Sequence, residues 1–377
     1  MNQLSPSHRA VQDTSSPNTA SSLPSSRAND AAGVTSIEYP AFDWLRFILA
    51  SVVALGHVGL ISHSEITGNL AVQVFFSLSG WLIGGILMKT GLAQLPRFFF
   101  NRATRIWIPY FFAVGALYSL SALRDPVTAR WLQFLFFDAT FTHNWFSLRP
   151  NAAEALAHMP LKGTGNGFWS ISVEEQFYLV APLIIVFMRF GRSPVLWALI
   201  FSALWGAQLV DFASISLGVL ATTLRSSYGD IHLRPRFVVT LVCLALVSLP
   251  ILGTHLYSFA APFFAISIVL LCARPGHRTA VGMFAGAISY PMYLNHWMAS
   301  FAINGLTKRV DLLPHAMVGL TSYAGATLVG SIAYLLIDRN VLKHRNEYYS
   351  PRVGKVSAGL AYTLVLLGVT GGLLLLR

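Results

Sequence analysis

Residues 42–62 read FDWLRFILASVVALGHVGLIS, and the reading of that stretch decides the fold. It is long and apolar enough to cross a bilayer as one helix of about 20 residues. Yet it carries Arg46 near its start and His57 deep within it. The two are eleven positions apart. At about 100° per residue that is three turns plus about 20°, so both lie on one face. At about 1.5 Å per residue they stand about 16 Å apart along the axis. Ionisable groups in lipid are costly unless they face the protein interior, so the pair reads as inward-facing and functional. The competing reading has Arg46 snorkelling to the headgroups and His57 as a satisfied packing residue.

The rest of the chain has the same character. Of its 377 residues 54% are hydrophobic and only 11% charged, with a mean hydropathy of +0.58. A soluble protein carries roughly 25% charged residues. The expectation is an all-α, polytopic integral membrane protein. A barrel is excluded, because the apolar runs are continuous rather than alternating. The net charge of +11 would suit nucleic acid. The basic residues, however, sit in short segments between spans, as the positive-inside rule expects, so no nucleic-acid partner is read. Cys243 and Cys272 lie inside apolar runs. They form neither a disulfide framework nor a metal motif, and read as small core residues.

Residues 1–37, rich in Ser, Pro, Ala and Asn, read as a disordered cytoplasmic tail. A second span covers 70–88, after a polar turn holding His63 and Glu65. Its small residues Ser77, Ser79, Gly80, Gly84 and Gly85 let another helix approach closely. Lys89, Arg97, Arg102 and Arg105 read as one short cytoplasmic loop before a third span at 107–123. The stretch 131–146 is aromatic but short, and it holds Asp138, His143 and Asn144. It reads as interfacial or re-entrant rather than spanning. The next span, 168–190, opens with Trp169-Ser170-Ile171-Ser172-Val173-Glu174-Glu175-Gln176-Phe177-Tyr178. Two adjacent carboxylates cannot both face lipid. One is expected to face a polar cavity, the other the interface or a basic partner. Further spans at 194–209, 212–224, 237–252, 256–272, 280–303, 314–337 and 356–376 bring the total to about 10–11. The last reads as an additional helix at 346–377, beyond a transmembrane domain at 38–345. With the N-terminus inside, cytoplasmic segments hold about 18 Lys and Arg and outer ones about seven. That orientation requires 131–146 not to cross.

Arg46 then sits at the inner end of its helix, His57 toward the outer half, and Glu174–Glu175 enter from outside. One cavity could join an inner basic site to an outer His/carboxylate site. A neutral imidazole is a good general base near neutral pH and could take a proton from an attacking hydroxyl. Glu174 or Glu175 could orient it, by the logic of catalytic triads. Arg46, Arg102 and Arg105 are the candidates to hold the phosphates of an anionic donor; for Arg102 and Arg105 the plainer reading is ordinary positive-inside charge. Ser79, Trp169, Ser172, Tyr178, Tyr293 and His296 are candidate acceptor or cavity residues. Their plainer roles are an aromatic belt for Trp169 and Tyr178, cross-helix hydrogen bonding for Ser172, and core packing for His296. Tyr290 and Tyr293 are three apart and share a face. Asp138, His143 and His158 read as exposed residues of an outer loop. No Gly-rich phosphate loop or zinc signature occurs, nor a Gly-x-Ser-x-Gly elbow.

Five motifs, in order, resemble those of the membrane-bound acyltransferase-3 family, which includes O-antigen, exopolysaccharide and Nod-factor O-acetylases and some macrolide acyltransferases. Arg46 and His57 fit its Arg-x10-His motif. Val74-Phe75-Phe76-Ser77-Leu78-Ser79-Gly80-Trp81-Leu82-Ile83 resembles its FFxLSGFLI stretch, with Trp81 in place of Phe. Arg97-Phe98-Phe99-Phe100-Asn101-Arg102-Ala103-Thr104-Arg105-Ile106 resembles its basic loop, with Asn101 breaking the usual basic pair. The segment from Trp169 to Tyr178 is similar to WSLSVEEQFYL, and Ser289-Tyr290-Pro291-Met292-Tyr293-Leu294-Asn295-His296 to SYxLYLxH. The resemblance implies an integral membrane O-acyltransferase of the bacterial cytoplasmic (inner) membrane. It implies acyl-CoA, usually acetyl-CoA, as cosubstrate, with no bound cofactor and no metal. It implies His57 as the essential histidine and Arg46 as a donor-site residue. The acceptor it implies is a hydroxyl of a surface or extracellular polysaccharide, or of its lipid-linked oligosaccharide precursor. Two alternatives stand beside it: a small lipophilic acceptor such as a macrolide, and a proton-coupled transporter. A transporter is expected to repeat its half, and neither the Arg46/His57 pattern nor the Glu pair recurs.

Overall fold

The computed structural model describes residues 38–61, 65–147, 151–163, 167–307 and 314–375. The expected tail at 1–37 and the turn at 62–64 lie outside the described residues. Among those described the secondary structure is helical, with no strand. The chain begins with α1 (Pro40–His57), α2 (Leu70–Leu87) and α3 (Leu95–Ala122). Three short helices follow: α4 (Ala129–Ala139), α5 (His143–Phe146) and α6 (Ala152–His158). Then come α7 (Phe168–Pro182), α8 (Pro194–Gly206), α9 (Val210–Tyr228), α10 (Pro235–Leu252) and α11 (Tyr257–Cys272). The chain closes with α12 (Ala280–Thr307), α13 (His315–Ala333), α14 (Arg339–His344) and α15 (Pro351–Leu375).

Proline stands in the first turn of α1, α3, α8 and α10. There its missing N–H costs nothing and its fixed φ suits a helix. Among the described residues five helical stretches are long and apolar enough to cross a membrane: Thr67–Leu87, Phe168–Phe187, Pro235–Leu252, His315–His344 and Pro351–Leu375. Two shorter apolar helices, Pro194–Gly206 and Tyr257–Cys272, lie beside them. Helices α1, α3, α9 and α12 hold 18, 28, 19 and 28 residues and carry, among other interior polar groups, Asp43, Ser121, Ser214 and His296. The molecule is a polytopic helical membrane protein. Its centre is the stretch through α2, of which 72% is buried, with α7 at 67%. The stretches through α10, α13 and α15 are each only 17% buried. They turn Val239, Leu246, Leu328, Leu336, Leu366 and Leu374 outward. In water such a belt would drive aggregation; facing acyl chains it costs nothing.

Helices meet where side chains are smallest. A Cβ on Gly80 of α2 would stand 2.0 Å from the Ile215 carbonyl of α9, and one on Gly218 would stand 2.2 Å from the Ser77 carbonyl. That contact brings Ser77 Oγ to 3.0 Å from the Ser214 carbonyl and Thr222 Oγ1 to 2.8 Å from that of Trp81. Gly330 of α13 meets Met292 of α12 in the same way, and Gly354 of α15 meets Pro96 of α3.

Four expectations are corrected. The first helix ends at His57, because Gly59 takes a left-handed φ of 74° and stops it; His57 is therefore at a helix end, not deep inside. Arg97, Arg102 and Arg105 are not in a loop but on the first turns of α3, which runs unbroken through the expected third span. The short span at 212–224 is a 19-residue helix that includes Arg225. Cys243 is exposed on α10 rather than in the core. The stretch 131–146 is broken at Phe141, which has a φ of 54°. At about 1.5 Å per residue neither α4 nor α5 reaches across a bilayer core of about 30 Å.

Candidate active site

A cavity of about 290 Å³ opens between α1, α2, α3, α7 and α12. Arg46 of α1 enters its wall with Arg102 and Arg105, which stand three apart on α3 and share a face. Ser79 of α2 and Glu174 and Tyr178 of α7 also line it. The Ser79 hydroxyl donates to Glu174 Oε1, and the Tyr178 hydroxyl, one turn along, donates to Glu174 Oε2 at 3.2 Å. Glu174 thus holds its carboxylate by two hydroxyls in a cavity that three guanidinium groups share. Tyr293 and Ser170 form another wall, with their hydroxyls 2.7 Å apart and Tyr293 also donating to the Gly167 carbonyl at 3.1 Å.

Glu175 is turned away. Consecutive helical residues are about 100° apart, and its carboxylate faces α3 instead, where Trp107 Nε1 donates to Oε2 at 2.9 Å. It is buried at 3% exposure and absent from the cavity wall. The expectation that the second carboxylate meets the interface or a basic partner gives way to an indole. Ser172 is corrected too: its hydroxyl donates to the Phe168 carbonyl of its own helix at 3.3 Å, not across helices. Trp169 packs edge-on against Phe76, with centroids 6.0 Å apart.

His57 is not in the cavity wall. It meets His296 of α12. His57 Nδ1 lies 2.6 Å from His296 Nε2, with the rings 10° from parallel. His296 Nδ1 lies 2.7 Å from the Tyr293 carbonyl. Tyr293 therefore belongs to both groups: its hydroxyl faces the cavity and its carbonyl anchors the histidine pair.

The N-terminal end of α1 holds residues the sequence reading missed. Asp43, 3% exposed, receives both Arg278 Nε at 2.6 Å and Arg278 Nη2 at 2.7 Å. Arg46 Nη1 stands 3.6 Å from the same carboxylate. The available signal was an acid three residues before Arg46 in an apolar run. Asp138 and His143 are likewise not exposed. They pair at 2.5 Å in the interior, with Tyr118 donating to the other Asp138 oxygen at 2.5 Å. Among the described residues no group of His, Cys, Asp and Glu could hold a metal ion.

The family model described as an acyltransferase domain, acyltransferase-3, matches residues 39–336. The chain belongs to the acyltransferase-3 family. That match encloses every residue of the cavity wall and both histidines of the pair. A provisionally named O-acetyltransferase of Staphylococcus aureus (strain COL) is 31% identical over 157 residues, 39% of this chain and 24% of that protein. The peptidoglycan O-acetyltransferase OatA of Listeria monocytogenes is 28% identical over 172 residues, 42% of this chain and 26% of its own. The O-acetyltransferase OatA of Staphylococcus aureus (strain NCTC 8325 / PS 47) is 27% identical over 167 residues, 41% and 26%. The chain thus spans about a quarter of the length of the curated relatives it matches. No solved structure matches it.

Proposed function

We propose that this chain is an integral-membrane O-acyltransferase. It moves an acetyl or other short acyl group from acyl-CoA to a hydroxyl of a surface or extracellular polysaccharide, or of its lipid-linked oligosaccharide precursor. The observation that carries the reading is the single cavity in which Arg46, Arg102 and Arg105 face Ser79, Glu174 and Tyr178. Three guanidiniums on one cavity call for a multiply charged ligand, and the fork geometry of arginine suits phosphate oxygens. Acyl-CoA brings phosphates and an activated acyl group in one molecule. His57, in contact with His296, is the base that takes the acceptor's proton. The name of the Listeria relative supports a glycan acceptor. The host membrane is the bacterial cytoplasmic membrane and the N-terminus is cytoplasmic, which puts the arginine end on the side where acyl-CoA is made.

Mass spectrometry of envelope and extracellular glycans tests this reading in cells with the gene, without it, and with His57→Ala. The expected result is an acetyl-sized mass lost in both altered strains. Loss in the deletion alone keeps acyl transfer and removes His57 from catalysis. No change in either strain, together with no release of CoA by the purified protein from acetyl-CoA in the presence of those glycans, overturns the reading.

A further inference from the structure

We propose that Arg97 and Arg345 form a second anion station, beyond the three-arginine cavity, that holds the 3′-phosphate of acyl-CoA; the proposal rests on the acyl-transfer reading above. Arg97 stands eight positions before Arg105 on α3. At about 1.5 Å per residue that is about 12 Å along the axis. The helix therefore carries positive charge at two places, one in the cavity wall and one outside it. Arg97 Nη2 donates to Asn346 Oδ1, and its guanidinium lies 4.2 Å from the centre of the Tyr349 ring. Arg345, beside Asn346 in the linker between α14 and α15, is partly buried. Burial, and then the charges of Arg105 and Arg97, hold its pKa below the ordinary arginine value. Arg345 thus stands within the fields of both and joins the two places.

Packing fixes the linker against α3. Gly354 of α15 lets the backbones close, since a Cβ there would stand 2.4 Å from the Pro96 carbonyl. The Tyr349 ring also meets Phe100, with centroids 5.4 Å apart. Among the described residues no carboxylate lies within ion-pair distance of Arg97, Arg102, Arg105 or Arg345; the acids that pair with arginine are Asp43 and Asp230. Asp338 feels the charge of Arg105, but its Oδ2 makes no hydrogen bond. Like charges held together without an acid repel, and a bound anion turns that repulsion into attraction. Arg345 also lies past residue 336, where the family match ends. The station therefore joins a helix of the family domain to a segment outside it.

Acyl-CoA carries two kinds of phosphate on one nucleotide. A diphosphate leads to the acyl arm, and a monoester sits on the ribose 3′ oxygen. Arg46, Arg102 and Arg105 line the cavity and suit the diphosphate, which is nearer the thioester. The monoester carries about −1.5 to −2 charges at pH 7 and presents three oxygens that two guanidinium forks can share. The order of groups along the donor then matches the order along α3: acyl arm in the cavity, diphosphate at its wall, monoester on the pair beyond. No bond forms or breaks at this station. It holds ground state and transition state alike, so its effect falls on KM and not on kcat.

The test measures thiol release by the full-length protein in phosphatidylcholine vesicles, with envelope glycans as acceptor. Two donors are compared: acetyl-CoA and acetyl-dephospho-CoA, which lacks only the 3′-phosphate. Wild type is expected to show a KM about tenfold higher for acetyl-dephospho-CoA, the worth of one charged hydrogen bond, with kcat within about twofold. Arg345→Gln and Arg97→Gln are each expected to raise the KM for acetyl-CoA about tenfold and to leave that for acetyl-dephospho-CoA within about twofold. The donor preference then collapses. Arg234→Gln, which removes an exposed charge ahead of α10, is expected to keep the wild-type preference. Equal KM values for the two donors in wild type overturn the proposal. So does an equal rise for both donors in Arg345→Gln and Arg97→Gln, which is the mark of structural damage. A lipid headgroup offers the same phosphate chemistry, so the comparison is repeated with phosphatidylglycerol in the vesicles. Phosphatidylglycerol that raises the melting temperature of wild type but not of Arg345→Gln, with no donor preference in either, assigns the pair to lipid and overturns the proposal. Equal use of the two donors defeats this proposal alone, whereas no thiol release from either defeats the acyl-CoA reading and the proposal with it.

Discussion

Asp43 stands between two arginines with different duties. Arg278 grips both of its oxygens, while Arg46 touches one at 3.6 Å and faces the cavity. A buried carboxylate must be paired, so removing Arg278 leaves Arg46 as its partner and draws that guanidinium away from the ligand. Arg278→Ala is therefore expected to raise the KM for acetyl-CoA about tenfold, the worth of one charged hydrogen bond. Adding Asp43→Asn is expected to restore most of it. Initial-rate kinetics on the two single variants and the double variant check this, and simple additivity would refute the coupling. The two glutamates divide in the same spirit. Glu174→Gln removes the charge that Ser79 and Tyr178 hold in the cavity, and transfer is expected to fall about tenfold or more. Glu175→Gln still accepts from Trp107, and its activity is expected to stay within about threefold of wild type. An equal loss in both would return Glu175 to the site.

At the scale of elements, the seam between α2 and α9 positions the serine of the cavity. Ser79 and Gly80 are neighbours, and Gly80 leaves no room for a side chain against Ile215. Gly80→Ala is expected to cost about 1–3 kcal/mol through forced separation of the two backbones. Gly115→Ala on α3, with nothing within 4 Å, is expected to be neutral or to stabilise by up to about 1 kcal/mol. Thermal melts in detergent compare the two; a Gly80→Ala melt equal to wild type would show that the seam can open. The unbroken course of α3 matters as much. It puts Arg102 and Arg105 on the same helix as Trp107 and, past Pro109, Tyr110, so one element joins the basic end of the cavity to the packing behind Glu175 and Asp138.

At the scale of the molecule, apolar side chains face outward on the peripheral helices and polar ones converge at the centre. This is the inverse of a soluble protein, as a lipid solvent requires. The break at Phe141 sets the sidedness of all that follows, because a crossing at 131–146 would invert every later loop. With two-cysteine-free protein as background, Glu154→Cys is expected to react with a membrane-impermeant thiol reagent in intact cells. Arg345→Cys is expected to react only after permeabilisation. The opposite pattern would reverse the orientation and move the arginine end of the cavity to the outer face.

Apolar length, the absence of strand signals and the spacing of Arg46 and His57 depend on local sequence alone, and they sufficed for an all-helical membrane protein with its candidate residues. Even the stop after His57 was written locally, in Gly59, and passed unread. What local sequence does not contain is the direction in which each side chain meets another element. Adjacent Glu174 and Glu175 look alike in one dimension, and only the packing of α2 on one side of α7 and α3 on the other separates cavity from indole. The left-handed backbone of Phe141, strained for a residue with a Cβ, holds because its ring lies 4.9 Å from that of Tyr110 and Gln176 Nε2 donates to its carbonyl at 2.8 Å. His57 and His296, 239 positions apart, become a pair because α1 packs on α12. That contact exists only once both helices are placed, since hydrogen bonds between distant residues are a property of the fold and not of the chain.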